Sequence, residues 1–219
     1  CRELIQKNLH WNTWGSLGID VALGAVIDKK ASAWDYQFLP DYIFKAAETA
    51  VLTKNGSEEK LVENTSTLFQ NKPKEDTPFF FTSPLFVFGL LGLLIVFVTY
   101  KDRKNTTRNR LLDAIIFFTT GLIGTILLLL WVATDHTATA NNYNLLWAFP
   151  LSLLFTGLIA NRFPKKWLGR YVFFLVLLFV LMTIHWITGV QVFAIALIPL
   201  LNALAIRYIF LIAYLKREN

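Results

Sequence analysis

The pattern of apolar and polar positions changes at Phe79. Before it the two kinds are mixed over short distances; after it, long apolar runs alternate with short polar loops. A bilayer core asks for about 20 apolar residues per helix, and only a segment whose backbone groups are satisfied internally can cross it. The second part therefore predicts five transmembrane helices, at about 79–100, 111–133, 145–160, 169–187 and 190–215. The third is short, and the fifth has slack for a tilt or for a kink at Pro199.

The first part predicts smaller elements. Residues 1–9 place Leu4, Ile5 and Leu9 on one helical face. An aromatic, glycine-punctuated stretch follows at 11–24. Residues 41–52, entered through Pro40, present Ile43, Phe44, Ala47 and Val51 as an apolar stripe and predict a helix. Lys54-Asn55-Gly56-Ser57 is a turn signal, after which 61–69 alternates as a strand would, paired across that turn. Residues 71–78 contain two prolines and form a polar linker. The expected class is thus mainly α: an integral membrane protein of five helices, preceded by a small, mostly helical extramembrane segment with a candidate β-hairpin. Residues 1–70 read as the end of a soluble domain, since so few residues make a marginal core, and 79–219 as the transmembrane domain.

Composition agrees: 55% of the 219 residues are hydrophobic. The net charge of +6 becomes informative once divided. Residues 1–78 carry nine basic and eleven acidic side chains, giving −2; residues 79–219 carry twelve and four, giving +8. That excess sits in short loops. Residues 101–110 hold five basic groups and one acid, 161–170 hold four and none, and Lys216 and Arg217 add two more. The intervening segments, 134–144 and 185–191, hold no lysine or arginine. Strict alternation is the positive-inside pattern. It predicts the N-terminal segment and the 134–144 loop outside and the C-terminus inside, and it makes the charge a topology signal, with no nucleic-acid partner implied.

This placement puts His10, His136 and His185 on one side, together with Trp131, Trp147 and Trp186, as an interfacial aromatic belt would. The densest polar stretch there is residues 134–150, TDHTATANNYNLLWAFP. A histidine side chain is suited to proton transfer near neutral pH, so His136 can serve as a general base or acid; its neighbour Asp135 is the candidate partner. Asn141, Asn142 and Asn144 can donate amide hydrogen bonds to an oxyanion or a headgroup, and they are also ordinary turn formers. With Trp147 and His185 they make the candidate substrate-binding set. Cys1, the sole thiol, reads first as an ordinary core thiol and second as a nucleophile; Ser152 is a weaker nucleophile candidate. Asp113 and Arg207 are the charges nearest the bilayer interior, and snorkelling is the simpler expectation for both. A row of intramembrane acids, a metal-spaced His/Cys/Glu set and a Gly-rich phosphate loop are all missing from the sequence, so neither an ion-coupled transporter nor a cofactor or metal is predicted.

Several stretches carry a resemblance. RELIQ at 2–6, WNTWGSLGIDVALGAVIDKKAS at 11–32 and FLPDY at 38–42 resemble the end of the periplasmic domain of the Lnb family of Bacteroidota. TDH followed by NNYNLLWAFPL at 141–151 resembles that family's outer membrane-flanking loop. The resemblance implies a bacterial inner-membrane protein with a papain-like periplasmic domain ahead of five helices. It also implies lipoprotein N-acylation, in which an acyl chain moves from a phospholipid to the amine of a lipoprotein's N-terminal cysteine. Its partners would then be membrane lipid and lipoprotein substrates, with the main nucleophilic cysteine upstream of residue 1. The competing expectation is a non-catalytic membrane anchor and scaffold for a papain-like hydrolase or peptidase domain. The oligomeric state is not legible.

Overall fold

The computed structural model describes residues 2, 5, 9–54, 56–70 and 79–217. They form two compact units, one of residues 29–70 and one of residues 2–28 with 79–217. The division falls at residue 28, and 2–28 packs with the long helices. Most of the helix expected over 1–9, Cys1 and the 71–78 linker lie outside the described residues.

In the larger unit, α1 is Trp14–Ala22, with the Thr13 hydroxyl accepting from the Ser16 amide at its start. A 3-10 turn at Ala25–Asp28 follows. In the smaller unit α2 spans Pro40–Thr49, opened by Pro40 whose missing N–H is not needed there. Strands β1 (Val51–Lys54) and β2 (Ser57–Lys60) pair antiparallel from Lys54↔Ser57 to Val51↔Lys60. Gly56, at φ +82°, supplies the left-handed backbone that a tight hairpin needs. The strand expected at 61–69 is absent for the same reason. So short a turn uses up β1 by Lys60, and before Val51 the partner chain is already helical.

Five helices follow: α3 Pro84–Lys104, α4 Arg110–Val132, α5 Leu151–Ala160, α6 Trp167–Ile187 and α7 Ile198–Arg217. Five segments, the third being Thr137–Ala160, are long and apolar enough to cross a membrane. Side-chain caps start α3 and α4: the Phe86 amide donates to Ser83 Oγ and the Leu112 amide to Asn109 Oδ1. Helix α4 packs on α5, and α7 packs on both α3 and α6. The core they enclose includes Phe117, Ile159, Leu168, Val172, Tyr208 and Leu211, none more than 1% exposed. Outside it Leu93, Phe97, Ile115 and Ile209 stand exposed, the surface a bilayer would cover.

Two of these helices differ from expectation. Pro199 does not kink the fifth; it lies in the first turn of α7, where proline is tolerated, and residues 190–194 before it are not helical. The third crossing is helical only from Leu151. Its first part consists of 3-10 turns at Thr137–Thr139 and Tyr143–Leu146 joined by irregular backbone. Side chains take the amides that a helix would have used: Tyr143 N–H donates to Gln191 Oε1 (2.7 Å) and Asn144 N–H to Asn142 Oδ1 (3.0 Å). Gly124 makes room for this segment, because a Cβ there would fall 1.8 Å from the Ala148 carbonyl oxygen.

Nor do Asp113 and Arg207 snorkel. Both are fully buried and bonded to each other, Arg207 Nε to Asp113 Oδ1 at 2.7 Å. Arg207 Nη1 also reaches Asp102 Oδ2 at 2.7 Å, while Arg108 donates to Asp113 (3.4 Å) and to the Ile159 carbonyl (2.8 Å). Four side chains from α3, α4, α7 and the α3–α4 loop thus neutralise one another inside the bundle. Mutual pairing of this kind is what lets charges leave water.

Candidate functional site

The end of the bundle where α4 finishes and α5 starts is covered by residues 2–28. Asn12 Oδ1 accepts from the Leu85 amide at the start of α3 (3.0 Å), and Trp14 Nε1 donates to the Thr82 carbonyl (2.8 Å). Arg2 pairs with both Asp20 and Asp28, and Asp28 Oδ2 accepts from the Val192 amide at 3.0 Å. Burial pushes the Asp20 carboxyl above its ordinary value, outweighing the opposite pull of the Arg2 guanidinium.

The last turn of α1 leaves carbonyls without helical partners, as every helix end does. The polar loop answers them. Asn142 Nδ2 donates to the carbonyls of Val21 (2.8 Å) and Ala22 (3.0 Å), and Asn144 Nδ2 to those of Asp20 (3.1 Å) and Val21 (3.2 Å). Gln191 Nε2 adds the Leu23 carbonyl at 3.3 Å. Trp147 Nε1 donates to Asn144 Oδ1 at 2.9 Å and so fixes which way that amide faces. Asn142, Asn144 and Gln191 are at most 1% exposed. Backbone pairing completes the seam: Gly24 N–H to Ala138 O (2.9 Å) and Ala25 N–H to Asn141 O (3.0 Å). A Cβ on Gly24 would sit 1.9 Å from the Ala140 oxygen, so this approach requires glycine. Asn141 holds φ +55°, which asparagine tolerates better than most residues.

The candidate residues therefore fall into two sets. Asn142, Asn144 and Trp147 are buried in the seam, with their amide and indole N–H groups directed at protein. Asp135, His136 and Asn141 are exposed beside it. Among the described residues the Asp135 and His136 side chains make no hydrogen bond, to each other or elsewhere. His185, half-buried, lies against Tyr143 with ring centroids 4.5 Å apart, and its Nδ1 is 2.8 Å from the Leu181 carbonyl. His10 is exposed in the covering segment and accepts from the Asn12 amide through Nδ1 (3.2 Å). All three histidines thus belong to this end of the bundle. Ser152 is 1% exposed, its Oγ 2.8 Å from Tyr171 Oη within the bundle. No group of three His, Cys, Asp or Glu side chains able to hold a metal occurs among the described residues.

The family model for the Lnb transmembrane domain matches residues 74–219. The chain belongs to the Lnb transmembrane-domain family. No curated protein and no solved structure matches it. The match covers all five helices and the polar loop, so the loop is part of the Lnb transmembrane domain itself. Residues 2–28 lie before the match, yet they supply the partner that this loop holds. The sequence reading did not single out Gln191, Asp20, Asp28 or Arg2. Gln191 carried a faint signal, as the polar residue next to a predicted outer turn in an otherwise apolar run.

Proposed function

We propose that this Lnb transmembrane domain is the membrane half of an acyltransferase that moves an acyl chain from a phospholipid to the N-terminal amine of lipoproteins. The family match over residues 74–219 carries the reading, since five apolar helices of the Lnb transmembrane domain suit the membrane region of a lipoprotein-processing protein. In the net reaction the amine nitrogen attacks the acyl carbonyl and the ester bond to the glycerol oxygen breaks. An amide forms, and the amine proton leaves through a base to the departing alkoxide. His136 takes the role of that base, with Asp135 beside it, because it is an exposed imidazole next to the seam. Asn141 and His185 line the approach of headgroup or lipoprotein, while Asn142, Asn144 and Trp147 shape it from within. The basic loops support an orientation with 134–150 and 2–28 on the periplasmic face of the inner membrane. There a lipoprotein amine and an acyl chain can meet.

The buried asparagine seam favours a second reading, in which the same surface serves as a non-catalytic anchor and scaffold for an extramembrane domain. One experiment separates them. In the full-length protein, His136→Ala should lower lipoprotein N-acylation, read by mass spectrometry of lipoprotein N-termini, by about 100-fold or more, the usual weight of a general base. Unchanged acylation with normal protein levels would favour the scaffold.

A further inference from the structure

At the opposite end of the bundle, α3 and α7 part to leave a cleft of about 680 Å³. We propose that this cleft is a binding site for an anionic phospholipid, distinct from the surface assigned above to acyl transfer. That volume is within the roughly 300–1,000 Å³ typical of ligand sites. Its wall is apolar, formed by Val96 of α3 and by Ile206 and Ile209 of α7. Ile206 and Ile209 are 45% and 59% exposed, so the wall opens away from the bundle core toward the side a bilayer would occupy. From Ile206 to Arg217 the lining follows twelve residues of α7, whose ends lie roughly 16 Å apart at a rise of about 1.5 Å per residue.

The mouth has the opposite chemistry. Arg103 and Arg217 line it, both exposed, with the exposed Tyr100 beside them. The acid of the same lining, Asp102, does not neutralise this rim. Its Oδ2 is taken by Arg207 Nη1 at 2.7 Å and by the Asn109 amide at 2.8 Å, within the buried network. The same helix thus turns Arg207 inward and its isoleucines toward the cleft. Two guanidiniums above a long apolar wall match a phosphodiester with an acyl chain attached. A free phosphate has no use for the wall, and a zwitterionic lipid gains less from the paired arginines. Basic pockets between transmembrane helices recognise anionic headgroups in this way.

Native mass spectrometry of the full chain in detergent tests this, with phosphatidylglycerol or phosphatidylcholine added separately and inorganic phosphate added in competition. The expected result is preferential retention of phosphatidylglycerol. Its affinity should fall about 10-fold or more in the R103Q/R217Q variant, since each basic residue contributes roughly a factor of five. Both arginines are exposed and outside the buried network, so the variant should keep the wild-type melting temperature. Ile206→Trp, which fills the cleft with the arginines intact, should also lower retention. Equal retention of the two lipids, or an unchanged R103Q/R217Q variant, would overturn the proposal. So would displacement of phosphatidylglycerol by inorganic phosphate, which would mark a simple anion site. The readout is lipid retention, so a negative result leaves the acyl-transfer reading standing.

Discussion

Asn144 ties three neighbours together with one amide. It donates to two carbonyls at the end of α1 and to Asn142 Oδ1, and it accepts from Trp147, at no exposure to solvent. Its truncation removes the side-chain donor of the Asp20 carbonyl and leaves the Trp147 indole N–H unpaired, which costs about 1–3 kcal/mol. Asn144→Ala should therefore release residues 14–28 from the bundle, seen as faster amide exchange across α1 while α3–α7 keep their protection. Arg207 makes the parallel case at the other end. Removing one partner of a buried ion network costs about 3–5 kcal/mol because the remaining charges stay buried. Arg207→Met should lower the thermal unfolding midpoint in detergent much more than Lys216→Met, whose side chain is exposed. Both residues were visible in the sequence, but their partners were not. Adjacency suggested Asp135 for His136, and depth suggested water for Arg207. The contacts actually made run over separations of 94 residues for Arg207–Asp113 and 124 for Asn144–Asp20, which no local pattern encodes.

Among the elements, those with a strong period or a strong cap were the legible ones. Helices α4 and α6 begin and end within two residues of the apolar runs at 111–133 and 169–187, α3 begins only at Pro84, and α2 starts at the proline that announced it. Legibility failed where side chains replaced backbone partners. Residues 145–150 are apolar enough to read as helix, yet the structure gives them 3-10 and turn geometry, because Asn142 and Gln191 compete for the amides just before them. The hairpin shifted for an analogous reason, with its turn deciding the register before the alternation of 61–69 could count. The close passage at Gly124 gives a test at this scale. Gly124→Leu should force the 145–150 segment off α4, read as new protease sensitivity in the loop, whereas Gly89→Leu, with open space around its Cβ position, should leave it intact.

Across the whole molecule, the two ends of the bundle differ in their chemistry. One is closed by a segment held through neutral amides and carries exposed Asp135 and His136; the other gathers lysines and arginines around a buried ion network. The proposed orientation follows from that asymmetry. Against the parent protein as background, the Thr137→Cys variant should gain reaction with a membrane-impermeant maleimide applied from the periplasmic side, and the Thr107→Cys variant should gain it only after permeabilisation. The reverse pattern would invert the topology and remove the basis for acyl transfer at the 134–150 loop.

The broken third crossing also has a consequence for how the protein is made. A continuous helix can enter a bilayer as soon as it leaves the ribosome, since each carbonyl finds its partner four residues later. Residues 140–150 cannot, because the Tyr143 amide waits for Gln191, some 48 residues downstream. Until the turn after α6 has been synthesised, the Tyr143 amide lacks the acceptor that it has in the folded protein. Nascent chains stalled before residue 190 should then leave 140–150 open to protease, and chains extended past α7 should protect it, so the loop closes as one of the last steps of biogenesis.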